Sequence, residues 1–215
     1  TGDVTPFAGF AFNNSGDKGL FLDVEQWGDT QFSRYLDMFH GCNNPAATIT
    51  ATDYPNLLSG AYLGTMNMFR GSTINSSNIS GWDVSNVTFF QGMFRDSSFN
   101  QPLNSWNMSN AANIQQMFQS NTVFNQPLNN WDVRKVSNAQ NTFQGSIFNQ
   151  DISSWQIGTL ASSLTMNYMF QGSATAFNQN LGSMTISTNM TGAPLMFHQS
   201  SMSTANYTDT LVGWA

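Results

Sequence analysis

The sequence predicts an α/β repeat solenoid, with one short parallel strand and one short helical turn in each coil of about 25 residues. Three observations predict it. First, a phrase recurs: Phe99-Asn100-Gln101-Pro102-Leu103 with Trp106, Phe124-Asn125-Gln126-Pro127-Leu128 with Trp131, and Phe148-Asn149-Gln150-Asp151-Ile152 with Trp155. Each Trp lies 7 residues after its Phe. Second, a Phe closes each unit, at positions 39, 69, 94, 118, 143, 170 and 197, with intervals of 30, 25, 24, 25, 27 and 27. Third, apolar residues before these Phe residues fall at i, i+3 and i+6, as in Val87, Phe90 and Met93 before Phe94.

The helical turn rests on that spacing, seen again in Phe32, Tyr35, Met38 and Phe39. Ser85 and Asn86 are suited to cap it. The strand is predicted between Leu103 and Met108, beside Trp106. Strand, turn, helical turn and return together give a leucine-rich-repeat-like plan. The structural anchors are Trp82, Phe94, Phe99, Trp106, Phe118, Phe124, Trp131, Phe143, Phe148, Trp155, Phe170 and Phe177. Met184 takes the Trp place 7 residues after Phe177.

Residues 1–215 are expected to form one elongated domain. Residues 1–36 form an N-terminal cap and lead-in with Phe7, Phe10, Phe12, Phe21 and Leu22. Residues 37–202 carry the repeats. Residues 203–215, with Tyr207, Leu211 and Trp214, form the C-terminal cap. Caps are needed because a terminal coil exposes apolar surface.

Polar positions stack between the anchors. Cys42, Ser72, Ser97, Asn121, Ser146, Ser173 and Ser200 occupy one column, suited to a tight turn bonded by its own side chain. Asn100, Asn125, Asn149 and Asn178 occupy another, read as a ladder that satisfies backbone groups.

Composition narrows the function classes. Only 8% of residues are charged, against roughly a quarter in ordinary soluble proteins. Hydration therefore rests on Asn, Gln, Ser and Thr. A net charge of −6 argues against nucleic acid, whose binding needs clustered Lys and Arg. No apolar run approaches the length of a membrane span, so no insertion is expected. One cysteine allows no intrachain disulfide. His40 and His198 share a column at opposite ends of the repeats, which reads as structural, and one Cys with two distant His is a poor zinc set. Asp83 and Asp132 share a column but lie about two coil spacings apart, near 10 Å, too far for one calcium ion to bridge. No metal, cofactor or catalytic constellation is expected, and so no enzyme.

The phrase Gly81-Trp82-Asp83-Val84-Ser85-Asn86-Val87-Thr88, followed by Gly92-Met93-Phe94 and Phe99-Asn100-Gln101, resembles the BspA-type leucine-rich-repeat surface proteins of bacteria. The lead-in phrases Glu25-Gln26-Trp27-Gly28, Phe39-His40-Gly41-Cys42 and Thr50 to Leu57 resemble that family too. So does the close, Ser203 to Tyr207 with Leu211-Val212-Gly213-Trp214. Ala139 and Thr142 depart from the pattern where Met is expected, and Met184 where Trp is expected. The resemblance implies an extracellular or cell-surface bacterial protein with a role in adhesion, and it carries no catalytic site.

The expected function is thus non-enzymatic contact with a protein or glycan ligand, as an adhesin segment or filament block that self-associates. The alternative is a fibre module of a virus or phage built on the same repeat. Contact should fall where side chains vary while anchors stay fixed. These positions are Ser105, Asn107 and Asn110, then Asn130, Asp132, Arg134 and Lys135, then Ser154 and Gln156. Arg134 and Lys135, an adjacent basic pair, point to a carboxylate-bearing partner.

Overall fold

The structure, a computed structural model, describes residues 11–28, 35–57, 64–172 and 176–215. Phe7, Phe10, Phe32 and Ser173 lie outside the described residues.

The α/β repeat coil is not what forms. Among the described residues there is one α-helix, α1 (Thr204–Trp214), and a 3₁₀ turn at Ser77–Gly81. There are two small parallel sheets of two strands each. In one, β1 (Gln156–Ile157) pairs with β3 (Thr185–Ile186); in the other, β2 (Leu164–Thr165) pairs with β4 (Met190–Gly192). Turns and irregular segments make up most of the rest.

Backbone conformation explains why the predicted helical turns fail. The residue two before each closing Phe is left-handed: Asp37, Asn67, Gly92, Gln116, Asn141, Tyr168 and Leu195 have φ between 52° and 62°. The residue two after each closing Phe is left-handed as well: Gly41, Gly71, Asp96, Ser120, Gly145, Gly172 and Gln199 have φ between 55° and 75°. An α-helix needs unbroken right-handed geometry and N–H bonds to the carbonyl four residues back. Here alternate N–H groups leave the segment altogether. Those of Phe90, Gly92, Phe94 and Asp96 donate to the carbonyls of Asn113, Gln115, Met117 and Gln119 at 2.8–2.9 Å. The N–H groups between them close local turns, Met93 onto Phe90 and Arg95 onto Gly92, both at 3.1 Å. The same alternation joins Ile114, Gln116, Phe118 and Ser120 to Asn138, Gln140, Thr142 and Gln144. The i, i+3 spacing of apolar residues thus reports a series of tight turns.

The predicted strand fails for a different reason. Where Asp or Asn follows the Trp, its side chain turns the chain. Oδ1 of Asp83, Asn107 and Asp132 accepts from the N–H of Ser85, Ser109 and Arg134 at 2.9–3.2 Å. Where Gln156 follows Trp155 and Thr185 follows Met184, that turn is absent and the two-residue strands β1 and β3 pair.

The apolar side chains of the repeats meet in columns. Closing rings Phe39, Phe69, Phe94, Phe118, Phe143, Phe170 and Phe197 follow one another at centroid distances of 5.2–5.7 Å, with planes within 15°. Phe99, Phe124, Phe148 and Phe177 lie at about 4 Å beside Phe94, Phe118, Phe143 and Phe170. Offset stacking of this kind adds to the large area each ring buries. All twelve anchors are buried, the Trp residues at 1–3% exposure. The Trp column is therefore core and offers no ring face for stacking on a sugar.

Polar side chains tie the columns together. Asn100, Asn125 and Asn149 accept through Oδ1 from the N–H of Asn125, Asn149 and Asn178 at 2.8–3.1 Å. The row extends beyond the expected column, to Asn75 upstream and Ser203 downstream. Ser97 and Ser146 donate through Oγ to Phe94 and Phe143 carbonyls at 2.8 Å, as expected for that turn column. Cys42 is buried in the same column, and burial pushes its thiol up to about 12.

Phe12 continues the backbone bonding of the repeats, while its ring packs edge-on against Phe21, which in turn meets Phe39. Phe12 lies 27 residues before Phe39. Phe12 and Asn14 donate through their N–H groups to the carbonyls of Met38 and His40. At the far end, α1 begins at Ser203, whose side chain accepts from the Asn206 N–H. Trp214 docks by donating from Nε1 to the Leu181 carbonyl at 2.9 Å.

Candidate functional site

The turn that follows each Trp sets the geometry of the candidate face. Asp132 is pinned by the buried Trp131 before it and by the buried Val133 after it. Its Oδ1 accepts from the Arg134 backbone N–H, which brings the Arg134 side chain alongside. Arg134 Nε and Nη2 then donate to Asp132 Oδ1 and Oδ2 at 2.9 and 2.7 Å, a fork-on-carboxylate pair. The Arg134 side chain remains 48% exposed. Its other N–H donors have no partner among the described residues.

Four of the expected contact residues come together here. Asp132, Arg134, Ser154 and Gln156, with the edges of Trp131 and Val133, line an open recess of about 260 Å³. Ser154 is committed through Oγ to the Asn129 carbonyl at 3.1 Å. Ser105 makes the equivalent bond to Ser80, and the Asn130 N–H is taken by Asn104 Oδ1. Lys135 donates to Asn110 Oδ1 at 2.8 Å, while Asn110 Nδ2 holds the Ser85 carbonyl. Asn107 is exposed but spends Oδ1 on its own turn. Ser105, Asn107, Asn110, Asn130 and Lys135 do not line the recess.

The electrostatics are those of a neutralised edge. The Arg134 side-chain bonds hold the Asp132 carboxyl below its ordinary range, against the opposing effect of burial. The same pairing raises the Arg134 guanidinium. The Ser85 side chain and N–H hold Asp83 low. On the side of the closing Phe residues, Arg70 and Arg95 share Asp96 at 3.7 and 3.3 Å. His40 sits 3.1 Å from Asp37 and has a lowered pKa, chiefly through burial. Among the described residues, no group of three or more His, Cys, Asp or Glu is placed to hold a metal ion. No described helix is long and apolar enough to cross a membrane.

Sequence reasoning missed a second feature. Ala193, Leu195, Met196, Phe197, His198, Gln199, Tyr207, Leu211 and Trp214 line a recess of about 560 Å³ at the C-terminal end. A signal was present. The position two before the closing Phe is polar or Gly in the first five repeats, then becomes Tyr168 and Leu195.

A family model described as "Mycoplasma protein of unknown function, DUF285" matches residues 38–155 and again residues 124–210. The chain belongs to this family. In this DUF285 protein the two matches overlap over 124–155, which includes Trp131, Asp132, Arg134 and Trp155. No curated protein and no solved structure matches the chain.

Proposed function

We propose that this DUF285 protein is a non-enzymatic contact module of a bacterial cell surface or secreted protein, binding a protein or glycan ligand. The observation that carries the reading is the Arg134 guanidinium, clamped by Asp132 beside a polar recess and half exposed. Its remaining donors are held in one orientation, so little conformational freedom is lost when a ligand accepts from them. The resemblance to BspA-type surface proteins supports the setting, and the nearly uncharged Asn- and Ser-rich edge supports many shallow polar contacts. Asp132 already neutralises Arg134, so the partner chemistry shifts from carboxylates toward carbonyl and hydroxyl acceptors. Affinity at such an edge is raised by display of many copies.

The test is a glycan and matrix-protein array probed with the intact chain, followed by titration of the best ligand. Arg134→Ala should weaken binding about tenfold, as for a central anchor. Gln115→Ala and Gln140→Ala, on the other side of the repeat, should leave it unchanged at equal folding stability. The reverse ranking would overturn the assignment.

A further inference from the structure

We propose that the recess at the C-terminal end docks a closing-turn segment of a partner protein: an uncharged stretch with carbonyl groups at alternate residues and an aromatic ring between the last two. Successive repeats of this chain join through four alternate N–H groups. Those of Ile114, Gln116, Phe118 and Ser120 reach the carbonyls of Asn138, Gln140, Thr142 and Gln144 at 2.8–2.9 Å. Those of Met166, Tyr168, Phe170 and Gly172 reach the carbonyls of Gly192, Pro194, Met196 and His198 at 2.9–3.1 Å. At the last repeat the corresponding donors are Ala193, Leu195, Phe197 and Gln199, whose N–H groups have no partner among the described residues. The N–H groups between them are spent, since Met196 and His198 donate to the Ala193 and Leu195 carbonyls at 3.3 and 3.1 Å. Leu195 and Gln199 are left-handed at φ 54° and 58°, as Tyr168 and Gly172 are at 59° and 60°, so the row keeps the shape of the junction before it. It is an edge of open donors that a further backbone can pair.

All four donor residues line the recess of about 560 Å³. Its other wall is α1. Tyr207 meets Phe197 edge-on at 6.2 Å and Trp214 stacks on it at 6.1 Å, which fixes the helix beside the row. Leu195 and Leu211 remain 51% and 46% exposed on the recess, so apolar surface is left for a ring. No Asp, Glu, Lys or Arg lines it. The segments that cover the same donors in earlier repeats show what such a row accepts. Asn138 to Gln144, Thr165 to Gln171 and Gly192 to His198 are free of Asp, Glu, Lys and Arg, and each carries a Phe between its last two accepting carbonyls. A contact one repeat wide is small, which places it in the weak, exchanging class.

This proposal stands apart from the ligand reading, because the recess shares no residue with the one beside Arg134. The probe is a synthetic peptide of this sequence, Asn138 to Ser146, blocked at both ends, which supplies all four carbonyls and Phe143. It is titrated into the intact, isotope-labelled chain and followed by nuclear magnetic resonance. The amide signals of Ala193, Leu195, Phe197 and Gln199 should shift saturably and their hydrogen exchange should slow, while those of Met196 and His198 move less. Arg134→Ala should leave this binding unchanged. The peptide carrying Phe143→Ala should bind about tenfold more weakly. Leu195→Asp should abolish binding, and Leu211→Glu does the same should the first variant fail to fold. No saturable shift in the four amides with peptide in the millimolar range, equal binding by the Phe143→Ala peptide, or equal shifts at Met196 and His198 would overturn the proposal. So would shifts that follow chain concentration without peptide, since the occupant would then be a second copy of this chain.

Discussion

The indole Nε1 of Trp131 donates to the carbonyl of Leu103, 28 residues earlier, at 2.8 Å. Trp106, Trp155 and Trp214 make the same bond to Ile79, Leu128 and Leu181. Each ring therefore fills its own repeat and fastens the previous one. Trp131→Ala should cost about 3–5 kcal/mol, as for other buried aromatics. Trp131→Phe keeps most of the apolar area and loses the bond. The Leu103 carbonyl still accepts from the Trp106 backbone N–H at 3.1 Å, and the Trp131 backbone N–H keeps its own bond to the Leu128 carbonyl at 3.2 Å. The Phe variant should then cost about 1 kcal/mol for the lost bond. Urea unfolding of both variants gives the comparison, and equal losses would contradict it.

The Asn row can be tested at Asn125, whose Oδ1 accepts from the Asn149 N–H at 2.9 Å and from Gln150 Nε2 at 3.1 Å. Asn125→Ala leaves a partly buried N–H without its acceptor and should cost about 1–3 kcal/mol. Asn125→Asp keeps the acceptor and should retain most of that stability. If the two substitutions were equally damaging in thermal unfolding, acceptance by Oδ1 would not be what Asn125 contributes.

Left-handed residues offer a way to stabilise the chain. Ser120 is exposed, with φ 55°, and in the next repeat Gly145 holds the same place at φ 66°. Ser120→Gly should raise stability by up to about 1 kcal/mol, because the left-handed penalty of an L-residue is removed. Gly145→Ala should lower it by a similar amount. Opposite signs in calorimetry would show that the turn is not strained at this column.

Acid should weaken the fold in part through Asp83 and Asp132. Both carboxyls are held below their ordinary range in the folded chain. Their stabilisation is fully present above the unfolded value of about 3.9 and is lost as pH falls through the lowered folded values. Asp132→Asn removes one titrating group and should flatten the acid limb of stability against pH. A limb of unchanged steepness would place the acid sensitivity elsewhere.

Cys42 should be inert in the native state. Its thiol is buried and pushed up to about 12, so almost no thiolate forms near neutrality. Alkylation by iodoacetamide should follow the opening of the first repeats, accelerating in sub-denaturing urea. Rapid labelling of the folded chain would show that this turn opens on its own.

The columns of Phe, Trp and Asn were legible in the sequence because the same residue type recurs at the same interval. Burial of Phe118 and the reach of Asn125 follow from that recurrence. The path of the backbone between them was not legible. Val87, Phe90 and Met93 fit a helix by spacing alone, and only the left-handed Gly92 and Asp96 divert it. Gly and Asp hint at this, but Gln116, Tyr168 and Leu195 adopt the same geometry with no such hint; the N–H groups of Gln116 and Tyr168 are held there by the carbonyls of Gln140 and Pro194. The strand beside Trp106 failed for a short-range reason, the Asn107 side chain bonding two residues on. At the candidate face, the position of Arg134 was legible and its pairing with Asp132 was not. The end recess escaped notice because it depends on how α1 seats Tyr207 and Trp214 against Phe197.

The alternation of bonds, one N–H inward to its own turn and the next outward to the adjoining repeat, has a mechanical consequence. Each repeat is clasped along a row rather than at a point, and among the described residues the repeat at Phe197 has a row on one side alone. Tension should therefore peel the chain from that repeat. Each repeat that lets go frees about 25 residues, on the order of 80–90 Å of extended chain. Unfolding under load should therefore proceed in steps of that length.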